Sequence, residues 1–261
     1  MRIALIGYGK MGRLLEERLL EKGHTITAIV DPYVDPVKEL PSKAQVFTSL
    51  EEAIKDGLKG AEAAIEFTHP DAAADNLILL SQEKIPLVCG TTGWFGRLPE
   101  VTKAVEEAGT SLVWAANYSL GVNIFYRIAS YAAKLINPFK EYDVAGFETH
   151  HNGKADSPSG TAKVLVEKVL KEMTRKKEAV YDKMDRKPQE GELHFASLRV
   201  GSDFGRHSLV FDSPADTIEI VHTGRNREGL ASGAILALEW LCAKKRTGVF
   251  TIDDVLADIL P

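Results

Sequence analysis

Short apolar runs alternate through the first half of this chain with stretches whose apolar residues recur at helical spacing. Residues 2–6 (RIALI) are apolar after the first and end in glycines, as a buried strand would be. Residues 10–22 follow, with Met11, Leu14, Leu15 and Leu19 at helical spacing. Residues 25–30 (TITAIV) are β-rich and end at Asp31. Together they predict one βαβ unit. The alternation continues with strand-like runs at 44–47, 63–67, 86–89 and 111–114 and helix-like runs at 50–58, 71–82 and 99–108. Such alternation predicts the α/β class, a Rossmann-type doubly wound parallel sheet that binds ligands at the carboxyl ends of its strands. Three predicted strand ends run into polar or glycine-rich turns: Phe67-Thr68-His69-Pro70, Cys89-Gly90-Thr91-Thr92-Gly93 and Ala115-Ala116-Asn117-Tyr118-Ser119.

After about Ser119 the pattern changes. A long helix is predicted over 122–135, a strand over 142–148 and a second helix over 159–174. Residues 175–191 are charged and aperiodic, which suits a surface loop. Strands at 194–200, 206–211 and 217–222 read as antiparallel neighbours, so this part is a smaller α+β domain. Residues 229–243 form an apolar helix that returns to the first domain. The division expected is 1–120 together with 226–261, and 121–225.

Gly7-Tyr8-Gly9-Lys10-Met11-Gly12 is a GxGxxG sequence, weak alone but strengthened by following a strand and opening a helix. In that context the glycines admit a pyrophosphate at the helix N-terminus, and Asp31, at the end of the next strand, accepts hydrogen bonds from ribose hydroxyls. Pro32, Tyr33, Val34 and Asp35 offer no cation for a 2′-phosphate, so NADH is favoured; NADPH stays open through Lys38 or Arg13.

The second signal is the stretch from Glu148 to Ala162. His150, His151 and Lys154 stand just ahead of a Pro158-Ser159-Gly160-Thr161 turn, and residues 162–171 then repeat their apolar positions at helical spacing. Hydroxyls and N–H groups at a helix start bind anions, and imidazole and ammonium groups move protons. The stretch reads as a pocket for a small carboxylate with proton donors built in. His150, His151 and Asp156 could be taken as metal ligands, but the spacing is not HxxxH, no Cys–His pairing is present and Lys154 opposes a cation, so no metal is expected. Cys89 suits core packing. His69 is open between a helix cap and the site, Trp94 and Phe95 between a cofactor lid and packing, and Arg225 and Arg227 between carboxylate binding and the surface.

A net charge of −5 and the absence of a basic run disfavour nucleic acid as a partner. No stretch is apolar enough for a membrane span, and the apolar run at the start is too short for a secretory signal. Two distant cysteines, Cys89 and Cys242, suit reduced thiols in a cytoplasm.

With these motifs in order, the chain resembles the 4-hydroxy-tetrahydrodipicolinate reductase (dihydrodipicolinate reductase) family of lysine and diaminopimelate biosynthesis. The family pattern E-x-H-H-x-x-K-x-D-x-P-S-G-T-A is filled from Glu148, with Ser157 where the family commonly has Ala. The glycine fingerprint, Phe67-Thr68, Gly90-Thr91-Thr92-Gly93, Asn117-Tyr118-Ser119, Gly205-Arg206-His207 and residues 222–227 also match. The resemblance implies NAD(P)H-dependent reduction of 4-hydroxy-tetrahydrodipicolinate to tetrahydrodipicolinate, a small dicarboxylate substrate and a homotetramer. It places a dinucleotide-binding role in the first domain and substrate binding and oligomerisation in the second. It makes His150 and Lys154 catalytic and puts His151, Ser159, Gly160 and Thr161 at the substrate. Phe67, Thr68, Gly90, Thr91, Thr92, Ala116, Asn117, Tyr118 and Ser119 join the fingerprint at the cofactor. The alternatives are another two-domain amino-acid-pathway dehydrogenase, of the aspartate or homoserine type, and a non-catalytic dinucleotide sensor.

Overall fold

The computed structural model describes residues 1–35, 40–181 and 183–260; Lys38 lies outside them. The elements in chain order are β1 (Arg2–Ile6), α1 (Lys10–Glu21), β2 (Thr25–Val30), β3 (Gln45–Phe47), α2 (Leu50–Lys55), β4 (Ala63–Glu66), α3 (Pro70–Gln82), β5 (Leu87–Cys89), α4 (Leu98–Ala108) and β6 (Ser111–Trp114). Then come α5 (Leu120–Ile136), β7 (Asp143–His150), α6 (Gly160–Glu172), β8 (Glu178–Val180), β9 (Glu192–Arg199), β10 (Arg206–Asp212), β11 (Thr217–Thr223), α7 (Glu228–Ala243), β12 (Gly248–Thr251) and α8 (Ile252–Ala257). The chain divides into two compact units, Met1–Ser119 with Glu228–Pro261, and Leu120–Arg227.

The first unit is built on a seven-stranded sheet in the order β12-β6-β5-β4-β1-β2-β3, with every pairing parallel. Strands covered by helices on both faces have no solvent side, which is why RIALI is apolar almost throughout and why β4 and β5 are wholly buried. The strand order reverses between β1 and β4, the switch point at which such sheets bind ligands. Helix α7 buries Ala231, Ala234, Ile235, Leu238 and Leu241 and packs on α1, β4, β5 and β6. Arg18 of α1 also grips Glu228 of α7 through two hydrogen bonds of 2.7 Å. Each fully buried Leu or Ile contributes about 1.5–3 kcal/mol and a part-exposed ion pair up to about 1 kcal/mol, so the apolar face holds α7 in place. The pattern of residues did not point to β12, a half-buried edge strand in register with β6 from Gly248↔Ser111 to Thr251↔Trp114.

The second unit is a five-stranded mixed sheet in the order β11-β10-β7-β9-β8. Strand β7 is antiparallel to β10 and parallel to β9, which corrects the expectation that 194–200 and 206–211 are neighbours. The loop between them crosses the end of β7 instead of turning back as a hairpin. The Val200 N–H donates to the His150 carbonyl at 2.8 Å, and the Asn152 N–H donates to that of Gly201 at 3.1 Å. Only β10 and β11, joined by a tight turn, pair as expected. Within 175–191, read as a loop, β8 adds a three-residue edge parallel to β9. Helices α5 and α6 supply the core on one face: Val122, Phe125, Tyr126 and Ala129 from α5, and Ala162, Leu165, Val166 and Val169 from α6. These eight pack with Phe195, Leu209 and Phe211 of the sheet.

Candidate active site

In the first unit, the turn after β1 is set by close backbone approach. Gly7 has φ +92°, and a Cβ there would lie 2.1 Å from the Phe67 carbonyl oxygen. Only glycine lets the two strand ends meet in this way at the switch point. Helix α1 then starts at Gly9, with no side-chain cap and no acidic residue in its first turn. That leaves a helix N-terminus suited to an anion. The Asp31 carboxylate accepts from the Tyr8 N–H at 2.7 Å and the Tyr33 N–H at 2.8 Å. It thus fixes the fingerprint loop as well as standing half-exposed at its edge. Gly7, Gly9, Asp31, Tyr33, Phe67 and Thr68 line a cavity of about 580 Å³, within the usual range for a small-molecule site. A bare helix start, an acceptor carboxylate and a glycine turn open to close approach at Gly9 fit a dinucleotide.

The other strand ends meet at the same edge. The Thr68 N–H donates to Thr91 Oγ1 at 2.7 Å, and a Cβ on Gly90 would strike the Phe67 ring. Thr92 and Ala116 are exposed there, Lys10 is exposed and Met11 half-buried on α1, and the Ser119 N–H donates to Asn117 Oδ1 at 2.9 Å. Tyr118 is buried, with its hydroxyl on the Cys89 and Val113 carbonyls. Its ring supports the strand ends from within. Trp94 is buried too, with Nε1 on the Thr91 carbonyl at 2.8 Å and its ring against Trp114, so it packs and forms no lid. Cys89 is core; burial and the neighbouring Glu66 push its thiol pKa well up. His69 occupies the N-cap position of α3 without a side-chain cap bond and pairs at the surface with Asp71. Arg13 lies over the Tyr8 ring.

In the second unit, the alternation of β7 puts Glu148 and His150 on one face and Thr149 on the other. Register then sets Ser197, Glu148, His207 and His222 side by side across four strands. The fully buried Glu148 carboxylate accepts from the Ser159 N–H at 2.8 Å, from the Ser159 hydroxyl, from the Ser197 hydroxyl at 2.9 Å and faces His207 Nε2 at 3.2 Å. The Ser159 hydroxyl also caps α6 by accepting from the Ala162 N–H at 3.1 Å. That hydroxyl is engaged inside the protein, as donor to Glu148 and cap of α6. Gly160 is exposed at the head of the helix and Thr161 is half-buried.

The adjacent imidazoles part company. His150 ends β7 buried, with Nδ1 3.6 Å from Glu148, while His151 is exposed beyond the strand. Lys154 Nζ donates to Asp156 at 2.7 Å, and its carbonyl accepts from Arg199 Nε at 3.2 Å. Arg227 lies over the Phe204 ring and Arg225 is exposed. Glu148 and His207 stand in segments that match the family, but with no role attached, and Ser197 and Arg199 stand in none. Cross-strand register brings Ser197, Glu148 and His207 together, and their separations along the chain follow no local spacing.

Burial would raise the Glu148 pKa, but hydrogen bonds from His207, Ser159 and Ser197 outweigh it and hold it at about 2. Burial lowers that of His150, against a rise from Glu148; His207, Lys154 and Arg199 lower it further. A carboxylate depressed on folding contributes stability that is present above its ordinary value of 4.5 and lost as pH falls through about 2. The contribution is roughly 3 kcal/mol. Urea midpoints of the wild type and Glu148→Gln should therefore differ at pH 6 and converge toward pH 2. A constant difference would contradict a charged Glu148.

Among the described residues, Glu148, His150 and His207 also form a group with ligand-like atoms within 4.8 Å of one another. Arg199, 3.8 Å from Glu148, and the nearby Lys154 place positive charge at this group, which disfavours a metal ion there.

A parallel sheet carrying a glycine fingerprint, in one chain with a unit that presents buried imidazoles and an ammonium group, defines a nicotinamide-dependent oxidoreductase. The model for the N-terminus of dihydrodipicolinate reductase matches residues 1–118, and that for its C-terminus matches residues 121–256. The chain is 33% identical to a 4-hydroxy-tetrahydrodipicolinate reductase of Christiangramia forsetii over 99% of each chain. It is 32% identical to one of Archaeoglobus fulgidus over 98% of this chain and all of that one. A dipicolinate-bound dihydrodipicolinate reductase from Paenisporosarcina sp. TG-14 has the same fold, with TM-score 0.76, 20% identity and 96% and 97% of the two chains covered. The chain belongs to the dihydrodipicolinate reductase family, whose members act in lysine and diaminopimelate biosynthesis.

Proposed function

We propose that the first unit holds the nicotinamide cofactor, with NADH preferred, and that the second supplies the substrate pocket and the protons. The reaction is that of the family: 4-hydroxy-tetrahydrodipicolinate loses water and is reduced to tetrahydrodipicolinate. The observation that carries the site assignment is the second unit's arrangement, a buried His150 on an anionic Glu148 beside a capped helix start and Lys154. Gly7 to Gly12 and the start of α1 receive the pyrophosphate, Asp31 the ribose, and Phe67, Thr68, Gly90, Thr91, Thr92 and residues 116–119 the nicotinamide end. The cofactor supplies hydride. The electron-rich substrate that results needs a proton, for which His150 and Lys154 are the donors. Lys154, His151, Gly160 and Thr161 hold the substrate carboxylates; the dipicolinate bound by the Paenisporosarcina protein supports a dicarboxylate in this role.

The test is consumption of NADH with the product of dihydrodipicolinate synthase, and none with oxaloacetate plus ammonia. The reverse result would favour an aspartate dehydrogenase. Tight NADH binding without turnover on either would favour a sensor. Leu198 and Val221, exposed on the sheet face opposite Glu148, support a homotetramer, testable by light scattering. Among the described residues no helix is long and apolar enough to cross a membrane. The free thiols of Cys89 and Cys242 support the cytoplasm as the location.

Asp31 decides the cofactor. It lies where a 2′-phosphate would bring nearly two negative charges, and the described turn residues Pro32 and Tyr33 carry no cation. Asp31→Ala should weaken NADH and improve NADPH relative to it by about tenfold, less at high salt. Because Asp31 also holds the Tyr8 and Tyr33 N–H groups, some loss for both cofactors is expected. KM for each cofactor, in wild type and variant at two ionic strengths, checks this. A wild type that strongly prefers NADPH would overturn it.

A further inference from the structure

The two oxygens of Glu148 have different surroundings. Oε1 is filled by the Ser159 N–H at 2.8 Å and the Ser197 hydroxyl at 2.9 Å, with Arg199 3.8 Å away. Oε2 accepts from the Ser159 hydroxyl and faces two imidazoles, His207 Nε2 at 3.2 Å and His150 Nδ1 at 3.6 Å. The rings are edge-on, 5.1 Å apart. His150 Nδ1 is buried with no hydrogen-bond partner, so Oε2 is the acceptor within a small rotation of it. On the other side of the ring, Nε2 lies against Gly205, which has φ +144° and where a Cβ would stand 2.8 Å away. The ring is confined to this slot.

We propose that Glu148 is a positioning residue for the reaction: one buried carboxylate, shared between His150 and His207, that governs how firmly His150 holds its proton and ties that imidazole to the start of α6. The inference rests on the reading of His150 as a proton-transfer group. The carboxylate reaches α6 through the Ser159 N–H and hydroxyl, so the helix start proposed to bind the substrate anion and the proposed proton donor share a single anchor. The Ser159 N–H and the Ser197 hydroxyl fix Oε1, and the Ser159 hydroxyl meets the two imidazoles at Oε2.

The charges facing His150 come from several elements. Glu148 favours the imidazolium. His207 from β10, Arg199 from β9 and Lys154 from the loop after β7 oppose it. Lys154 is itself paired with Asp156. Asp203, held by the Thr149 hydroxyl, adds a carboxylate from the loop before β10, and His222 of β11 stands behind His207. Glu148 is the carboxylate that directly faces Nδ1. Its removal should therefore lower the His150 midpoint, and removal of its competitor His207 should raise it.

The experiment follows the His150 ring by NMR titration in the full-length protein, with the pH profile of kcat measured alongside. Glu148→Gln should move the His150 midpoint down by about one pH unit or more, as expected for loss of an opposite charge at this distance. At pH values above the midpoint, kcat should fall about tenfold for each pH unit that the midpoint moves down. His207→Asn should move the midpoint upward, because His150 then has no competing imidazole at Oε2 and no neighbouring imidazolium. A merely structural Glu148 would not move the midpoint in opposite directions in the two variants. If both variants leave the midpoint unchanged, the proposal is overturned. If Glu148→Gln does not fold, His207→Asn decides alone, an upward movement supporting the proposal and none overturning it. If the midpoints move as stated but the kcat profile does not follow, Glu148 still controls His150, and it is the role of His150 in proton transfer that fails.

Discussion

Lys154→Ala is expected to lower kcat by about 10²–10⁴-fold, the usual range for a positioned proton donor, while NADH binds nearly as well as to the wild type. Lys154 belongs to the Leu120–Arg227 unit, whereas the fingerprint, Asp31 and the strand-end turns belong to the other. The loop around Lys154 keeps its backbone bonds without that side chain. Its N–H donates to the His151 carbonyl at 3.1 Å, and its own carbonyl accepts from Arg199 Nε at 3.2 Å. The ammonium, largely buried against Asp156, is what the substitution removes. Its hydrogen bond holds the Asp156 carboxyl below the usual range. Lys154→Arg separates two jobs. Arginine keeps the charge and the carboxylate contact but does not give up a proton near neutrality, so KM should recover while kcat stays low. The check is a steady-state comparison of the three proteins together with NADH titration. Full turnover in the arginine variant would limit Lys154 to binding, and loss of NADH affinity in the alanine variant would place it with the cofactor.

Much of the first unit was readable in the chain because its signals are local. A strand buried on both faces must be apolar throughout, a helix over it must repeat near 3.6, and a glycine turn must link them; RIALI, the helix after Gly9 and TITAIV meet all three conditions. Edges carry weaker signals. Neither β12, four residues with no fully buried position, nor β8, three residues, spans enough of a period to register. The second unit depends on pairing between distant segments, and no local pattern showed that β7 would separate β9 from β10. The same lack of register hid the row Ser197, Glu148, His207 and His222, although each of these polar residues stands within a strand that the chain predicts. For Ser159, the helix-start pattern is correct as a cap, but a cap hydroxyl is already engaged. It took the position of Glu148, two residues before His150 on the same strand face, to show with what.

Gly7→Ala and Gly9→Ala should fail in different ways, though both alter the same motif. At Gly7 a Cβ would stand 2.1 Å from the Phe67 carbonyl oxygen, at φ +92°. The obstacle is backbone of a neighbouring central strand end, which has no cheap way to retreat. Relief requires the ends of β1 and β4 to separate at the switch point, and the Gly7 N–H to give up its 2.8 Å bond to Val30. A loss of about 3 kcal/mol or more of folding stability is expected, with NADH affinity falling by more than about 100-fold as the cradle deforms. At Gly9 φ is −74° and nothing lies within 4 Å of the added carbon. Stability should therefore stay within about 0.5 kcal/mol of the wild type. The new methyl group would instead stand at the head of α1, where the pyrophosphate is proposed to approach the backbone, so NADH should bind at least about tenfold more weakly. Urea midpoints and NADH dissociation constants for the two variants separate the effects. If Gly9→Ala bound NADH like the wild type, the start of α1 would not be the phosphate site. If Gly7→Ala kept full stability, the contact with Phe67 would not be holding the strand ends together.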